Sequence, residues 1–244
     1  DPNKPVRSDL QLDALVEILN SKRNIHCHSY VQSEILMLMR LAEEFGFKVH
    51  TFTHILEGYK VAQEMAKHGV GASSFSDWWA YKMEVYDALP ESPSIMHQAG
   101  VNVSINSDDA EMARRLNQEA AKSVKYGDVA EIDAMKFVTI NAAKQMAIDQ
   151  RTGSLETGKD ADVVVWTGNP LSNISRVERT YVDGREYFSR ATDVQLRDRD
   201  AALRRLLEQE AIKAIGKGAS TSTGGRKPRR EYHCDTIEDE VAGR

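Results

Sequence analysis

NIHCHS at residues 24–29, VHTFTHILEG at 49–58 and VSINSDDAEM at 103–112 share one pattern, a short apolar run that ends in residue types able to ligate a metal ion. A fourth stretch, GSLETGKDADVVVW at 153–166, is a glycine-punctuated turn leading into a strand that its apolar run predicts to be buried. Between the first two stretches, Ser33–Phe45 carries apolar residues at helical spacing and closes on Gly46. Strand, helix, strand in that order is the pattern of a parallel βα unit.

The same pattern extends in both directions. Strands are expected at Asn24–His28, Lys48–Thr53, Val70–Phe75 and Gly100–Asn106. Helices are expected over Leu10–Asn20, Ser33–Phe45 and Tyr59–His68, through the aromatic run WWAYKMEVYDALP (78–90), and over Ala110–Tyr126 and Glu131–Gln145. Four such units make half of an eight-stranded TIM-like barrel, so the fold class is α/β. Past Gly153 the chain turns β-rich, with turns at Thr157-Gly158, Gly168-Asn169-Pro170 and Asp183-Gly184, and RVERTYVDGREYF (176–188) reads as a hairpin. Ala161–Trp166 is expected as a buried strand and Asn141 as a helix cap. The expected organisation is a partial barrel over 1–148, part of a small composite β-sandwich over 149–190, a helix over 191–215 and a disordered tail over 216–244.

Composition excludes several function classes. With 244 residues, 41% of them hydrophobic and 28% charged, the chain has enough material for one large soluble domain or a domain with an appendage. A formal net charge of −5 argues against nucleic acid and anionic membranes as partners. No apolar run approaches the ~20 residues of a membrane span. The chain opens DPNKPVRSDL, without a signal-like apolar segment, so any targeting signal is expected upstream and the compartment stays open. Cys27 and Cys234 stand too far apart in context to suggest a disulfide framework, and His233 with Cys234 lacks the further ligands of a structural zinc. The RKPRR cluster of the tail reads as solvated.

Parallel α/β barrels gather catalytic residues from the C-terminal ends of separate strands. His26 and His54 are about one βα unit apart, and Asp108 follows about two units later, which makes these three the candidate metal ligands. Of the two histidines in HCHS, one is expected to reach the barrel mouth. His28, Glu57, Tyr59 and Trp78 are candidates for substrate contact; the half-exposed loop reading of His28 is equally open. Trp79, Tyr81 and Tyr86 belong to the same aromatic run, Trp79 and Tyr86 being better read as packing residues. Asp109 suits a helix cap, His97 a structural role, and Lys82 with Glu84 a solvated helical face. Neutral imidazoles plus a carboxylate suit Zn²⁺ and also accept Mn²⁺, Fe²⁺ or Co²⁺.

Taken together, and with TINAAKQMAIDQRTGSLETGKDADVVVWTGNPL (139–171) as the exit from the barrel, these motifs resemble the amidohydrolase superfamily and its imidazolonepropionase-like branch. The resemblance runs from about Asp9 to Phe188 and implies the C-terminal half of a metal-dependent hydrolase. It assigns His26 and His54 as the histidines after the fifth and sixth barrel strands, and Asp108 as the aspartate after the eighth, which is both metal ligand and catalytic proton acceptor. The implied reaction is hydrolysis of a C–N bond in a cyclic amide, amide or short peptide, on a small-molecule substrate, through a metal-activated water. The family's first HxH motif and its strand-four lysine have no counterpart in this sequence. The competing reading is therefore a catalytically silent barrel remnant serving as an interaction module. Half a barrel is also expected to pair with a second copy, since open sheet edges seek partners.

Overall fold

The computed structural model describes residues 9–76, 78 and 82–218; Trp79, Tyr81, RKPRR, His233, Cys234 and the tail beyond 218 lie outside the described residues. Four strands form one parallel sheet in the order β1-β2-β3-β4: β1 (Ile25–His28), β2 (Val49–Thr53), β3 (Gly71–Ser74) and β4 (Asn102–Ile105). Helix α1 (Leu10–Leu19) precedes β1. Helices α2 (Gln32–Phe45), α3 (Ala62–His68) and α4 (Ser92–Gln98) connect successive strands, and α5 (Leu116–Gly127), α6 (Glu131–Phe137) and α7 (Ile140–Gln145) follow β4. This is the α/β class with a parallel sheet that the strand–helix alternation predicts. Helices α2 and α3 stop at Gly46 and Gly69, whose φ values of 73° and 75° are left-handed conformations that glycine adopts without steric cost.

Register decides the rest. Cys27, Phe52, Ala72 and Val103 stand side by side across the four strands. The buried members of that row pack against Ile35, Met39 and Ala42 of α2, Met65 of α3, Met96 of α4 and Phe137 of α6. Burying side chains of the size of Phe52 or Phe137 stabilises by roughly 1.5–3 kcal/mol each. The preceding row, one residue earlier and therefore on the opposite face, is His26, Thr51, Gly71 and Asn102. One step further, His28 stands beside Thr53 and Ser73 beside Ser104. One face of the sheet is thus apolar and helix-covered, and the other is polar.

Helix α7 closes part of that polar face. The Gln145 amide donates to the carbonyls of Ala72 (3.1 Å) and Asn102 (2.8 Å) and accepts from Ser104 Oγ (2.7 Å). Asn141 donates to Val103 O at 2.9 Å, so it is a strand tie and not the expected cap; it lies inside α7, after Thr139. Gly71 leaves room for this amide, since a Cβ there would stand 2.9 Å from Gln145 Cγ.

Several elements differ from the sequence expectation. The aromatic run carries only a short 3-10 turn, Met83–Val85, among its described residues, and the helix begins later, at Ser92 with Pro93 in its first turn. Proline suits that position because the first-turn N–H has no helical partner. The region Ala110–Tyr126 starts as a separate turn, Met112–Arg115, with Asp109 Oδ1 accepting from the N–H groups of Glu111 (2.9 Å) and Met112 (2.8 Å). Glu131–Gln145 is divided at Thr139, which leaves helical geometry at φ −136° and ψ −103° while its hydroxyl donates to Met135 O.

The chain divides into two compact units, Asp1–Arg185 and Glu186–Arg244. In the first, β5 (Val163–Trp166) pairs antiparallel with β6 (Val177–Val182), and the turn at Asp183 and Gly184 has φ of 50° and 73°, as a tight hairpin turn requires. Val164 and Val165 remain 44% and 43% exposed, so the expected burial of this strand is not met. No second layer covers them among the described residues. The second unit contains most of β7 (Arg185–Ser189) and the helix α8 (Arg190–Gly216), which buries no residue.

Replacing Gln145 with Ala removes three hydrogen bonds, two to strand carbonyls and one from the buried Ser104 hydroxyl. At ~1–3 kcal/mol for each unsatisfied buried group, an overall loss of about 3 kcal/mol is expected after partial relaxation. Urea unfolding monitored by circular dichroism measures it; a loss below 1 kcal/mol would show that α7 does not brace the sheet.

Candidate active site at the strand ends

Each strand of the parallel sheet ends at a residue able to do chemistry. His28 closes β1, His54 follows β2 directly, Ser76 lies just beyond β3, and Asn106 and Asp108 lie just beyond β4. Backbone bonds lace these ends together: Ser29 N donates to Thr53 O, Ile55 N to Ser73 O and Asn106 N to Ser74 O. His54 and Asp108 both have left-handed backbones, with φ of 49° and 47°. His and Asp tolerate that conformation better than most residues, and it turns both side chains away from the direction of their strands.

His28 and His26 sit two residues apart on the same strand and therefore on the same face, both exposed. The expectation that only one of them can address the polar face is corrected by this period-two geometry. They nevertheless have different neighbours. His28 Nδ1 lies 2.5 Å from His54 Nε2, whereas the His26 ring meets the His50 ring with centroids 5.6 Å apart. His50 Nε2 lies 3.3 Å from Lys144 O, at the α7 end of the polar face. Although the residue is exposed by surface area, partial desolvation by the protein around its ring pushes the His26 imidazole below its ordinary value, the nearby His50 pushes it further down, and the hydrogen bond with the Gln145 backbone partly offsets both.

Two imidazoles on one tetrahedral Zn²⁺, each nitrogen about 2.0–2.1 Å from the metal, stand roughly 3.3 Å apart, so the His28–His54 pair fits once the rings open by about 1 Å. Asp108 is exposed and reaches the sheet through Asn106, whose amide donates to Asp108 Oδ1 (3.4 Å) and accepts from Ser73 Oγ (2.6 Å). Among the described residues no group of three or more His, Cys, Asp or Glu side chains is gathered as a metal site. The structure thus brings together His28 and His54 of the candidates and does not bring His26, His54 and Asp108 into one ligand set.

Above the histidine pair stands an aromatic wall. Tyr30 stacks on the His54 ring at 4.3 Å, and Phe75 stacks on Trp78 at 4.4 Å. Tyr30, Trp78 and Ala88 pack against the buried Leu56, Phe75 and Val85, a small second core built from the segments after β1, β2 and β3. Tyr86, expected as a packing residue, is 80% exposed instead. Glu57 is buried and committed to the scaffold: one carboxylate oxygen accepts from Gln32 N (2.9 Å) at the start of α2, and the other from Lys60 (3.0 Å). Tyr59 donates its hydroxyl to Asp87 O at 2.9 Å and lines a groove with residues of α3 and α4. His97 packs edge-on against Phe137 and lies 4.0 Å from Asp133, the structural role expected of it.

Two residues of this face were not marked as functional by the sequence. Lys82, expected on a solvated helical face, is half-buried with its ammonium 4.0 Å over the Tyr30 ring. Glu119 of α5 is buried, with Ser76 and Lys122 bonded to its carboxylate.

Comparison with known proteins places this geometry. A model of the amidohydrolase family matches residues 91–187. The chain is 27% identical over 185 residues to the amidohydrolase tasK of Hapsidospora irregularis, covering 74% of this chain and 19% of that protein. It is 25% identical over 159 residues to an imidazolonepropionase of Thermoplasma volcanium, covering 62% of this chain and 39% of the relative. A crystal structure of an amidohydrolase from Thermotoga maritima MSB8 superimposes with a TM-score of 0.69 at 32% identity, covering 78% of this chain and 50% of that one. The chain therefore spans from about a fifth to half of the length of these relatives.

Nuclear magnetic resonance titration of the histidines tests the electrostatics of the polar face. His26 is expected to titrate below the 6.5 of an unperturbed imidazole, and His50→Ala to raise its midpoint without restoring that value, because burial is the larger cause. A lowered folded pKa keeps its stability contribution above pH 6.5 and loses it as pH falls from there through the folded midpoint. A His26 midpoint at or above 6.5 would contradict this placement.

Proposed function

Because the chain belongs to the amidohydrolase superfamily, we propose that it forms the C-terminal half of a metal-dependent amidohydrolase barrel that hydrolyses a C–N bond of a small molecule. The observation that carries this reading is the convergence of His28 and His54 at the C-terminal end of a parallel sheet, with Asp108 beyond the fourth strand at the same end. In this proposal β1 and β4, each with a neighbour on one side only among the described residues, are the edges that further strands join to close the barrel. The β5–β6 pair would be part of a composite sandwich, which accounts for its exposed valines.

His54 and the histidines of the HCHS motif would hold a divalent metal, Zn²⁺ first and Mn²⁺, Fe²⁺ or Co²⁺ as alternatives, with further ligands from the rest of the barrel. When bound, such an ion supplies an activated water and polarises the carbonyl under attack. Tyr30 holds the His54 ring in plane by stacking, and Asn106 holds the Asp108 carboxylate by donating to it. Asp108 would accept the proton of the attacking water and pass it to the leaving nitrogen. Trp78, stacked on Phe75, offers an apolar wall to the substrate. Cyclic amides, amides and short peptides are the substrate classes this arrangement suits.

The second reading is a catalytically silent module. It is favoured by one observation, that no three metal-ligating side chains are gathered among the described residues.

Turnover of a panel of cyclic amides and dipeptides by the protein carrying this chain, with metal content measured in parallel, separates the two. Asp108→Asn keeps an oxygen for coordination but takes no proton, so kcat is expected to fall by about 10²–10⁴-fold. Turnover within twofold of the unsubstituted protein would show that another group is the base, and a protein with neither metal nor turnover would support the silent module.

A further inference from the structure

Beside α5 lies a groove of about 530 Å³ that contains none of the strand-end histidines. One wall is a stripe of the helix: Gln118, Lys122 and Lys125 follow Arg115 at steps of three, four and three residues, which align on one helical face. Leu171 and Asn173, from the segment between β5 and β6, form the other wall. Hydrogen bonds hold that wall in place. Asn117 Nδ2 donates to Pro170 O at 2.6 Å, Asn169 Oδ1 accepts from Leu171 N at 3.0 Å, and Leu171 packs against the main core. The charge of the groove is opposite to that of the whole chain. Three cations and one carboxylate line it, an excess of 3 − 1 = 2 positive charges in a chain of formal net charge −5. The carboxylate is the buried Glu119, which Lys122 neutralises at 2.7 Å. Arg115 stands 3.7 Å from the other oxygen with its side chain 53% exposed, and the Lys125 ammonium lies 5.2 Å over the Tyr126 ring. The excess charge therefore sits at the two ends of the stripe.

We propose that this groove is a docking site for an acidic peptide segment in extended conformation, with two carboxylates four residues apart. Spacing selects the ligand. Ten residues separate Arg115 from Lys125, which is about 15 Å along the helix axis at 1.5 Å per residue. An extended chain advances ~3.3 Å per residue, so side chains at i and i+4 project from one face about 13 Å apart and meet both cations. A phosphate or another compact anion reaches only one of them. Between the two ends, the amides of Gln118 and Asn173 face each other from opposite walls and offer donors and acceptors to the peptide groups of the ligand. Leu171 and the 43% exposed Tyr126 ring give an intervening side chain an apolar contact. The volume falls within the roughly 300–1,000 Å³ of ordinary ligand sites. Opposite charge on groove and peptide steers their encounter and rejects basic segments. The site is separate from the strand-end histidines and does not rest on the hydrolase reading.

Calorimetry on the full chain at low ionic strength tests this with three capped synthetic peptides and inorganic phosphate. Acetyl-EALAE-amide carries two carboxylates at the required spacing, acetyl-EEALA-amide carries them side by side, and acetyl-QALAQ-amide carries none. The first is expected to bind about fivefold more tightly than either control, the scale of two partly exposed ion pairs. That preference should vanish at about 1 M salt, where the screening length is about 3 Å. Arg115→Gln and Lys125→Gln should each lower the ratio, and together bring it to about one. Lys136→Gln, at a lysine paired with Asp133 outside the groove, should leave it unchanged, and melting curves should show the variants folded. Equal affinity for the three peptides, or no peptide bound at all, would overturn the assignment. So would a ratio unmoved by either single substitution, or phosphate bound as tightly as the first peptide, the mark of a small-anion site.

Discussion

Everything at the candidate site depends on the alternation of side chains across four in-register parallel strands. The row Cys27, Phe52, Ala72, Val103 belongs to the helix-covered core, so the neighbouring row His26, Thr51, Gly71, Asn102 must face the other way. A slip of one residue in any strand would carry a histidine or asparagine into the core and a phenylalanine or valine onto the polar face. The Gln145 amide guards against such a slip, because its bonds to Ala72, Asn102 and Ser104 are all satisfied in one register only. Polar residues across a whole face of a parallel sheet are unusual, since both faces of such sheets are ordinarily buried among apolar side chains. Here the polar face is where the histidines are, and its chemistry follows from packing on the opposite side.

The strand ends add a second constraint. His54 and Asp108 adopt left-handed backbones immediately after apolar strands, at a cost that neighbouring contacts must offset. Ile55, just after His54, is fully buried and its N–H donates to Ser73 O, so the chain is pinned on the far side of the turn. Asp109 does the same after Asp108 by capping the following turn. Both candidate side chains are therefore presented by residues in a left-handed backbone conformation followed by firmly placed neighbours. The Tyr30 stack then restricts the His54 ring itself.

Much of the framework was legible in the sequence because hydrophobic period and glycine stops report directly on local structure. The four strands and the helices ending at Gly46 and Gly69 follow from those signals. The helix break at Thr139 and the late start at Ser92 did not, since neither involves a change of apolar period that a single chain displays. At the site, the histidines and aspartates were visible as residue types after strands, but their pairing was not. Which of His26 and His28 meets His54 depends on the β-bulge register between β1 and β2, a property of two strands together. The sequence alone presents Lys82 as solvated because its contact, the ring of Tyr30, comes from a different βα unit. The exposed faces of α1 and α8, and the valines of β5, show apolar periodicity whose partners a local reading cannot name.

In the proposed function the histidines at the ends of the parallel strands hold a metal. An anomalous difference map recorded at the zinc edge, on crystals of the protein grown with Zn²⁺, tests it most directly. A single strong peak is expected in contact with a ring nitrogen of His54 and with an imidazole of the HCHS motif, lost on His54→Ala. A map with no peak at the strand ends, or with zinc held only by residues elsewhere on the surface, would contradict it.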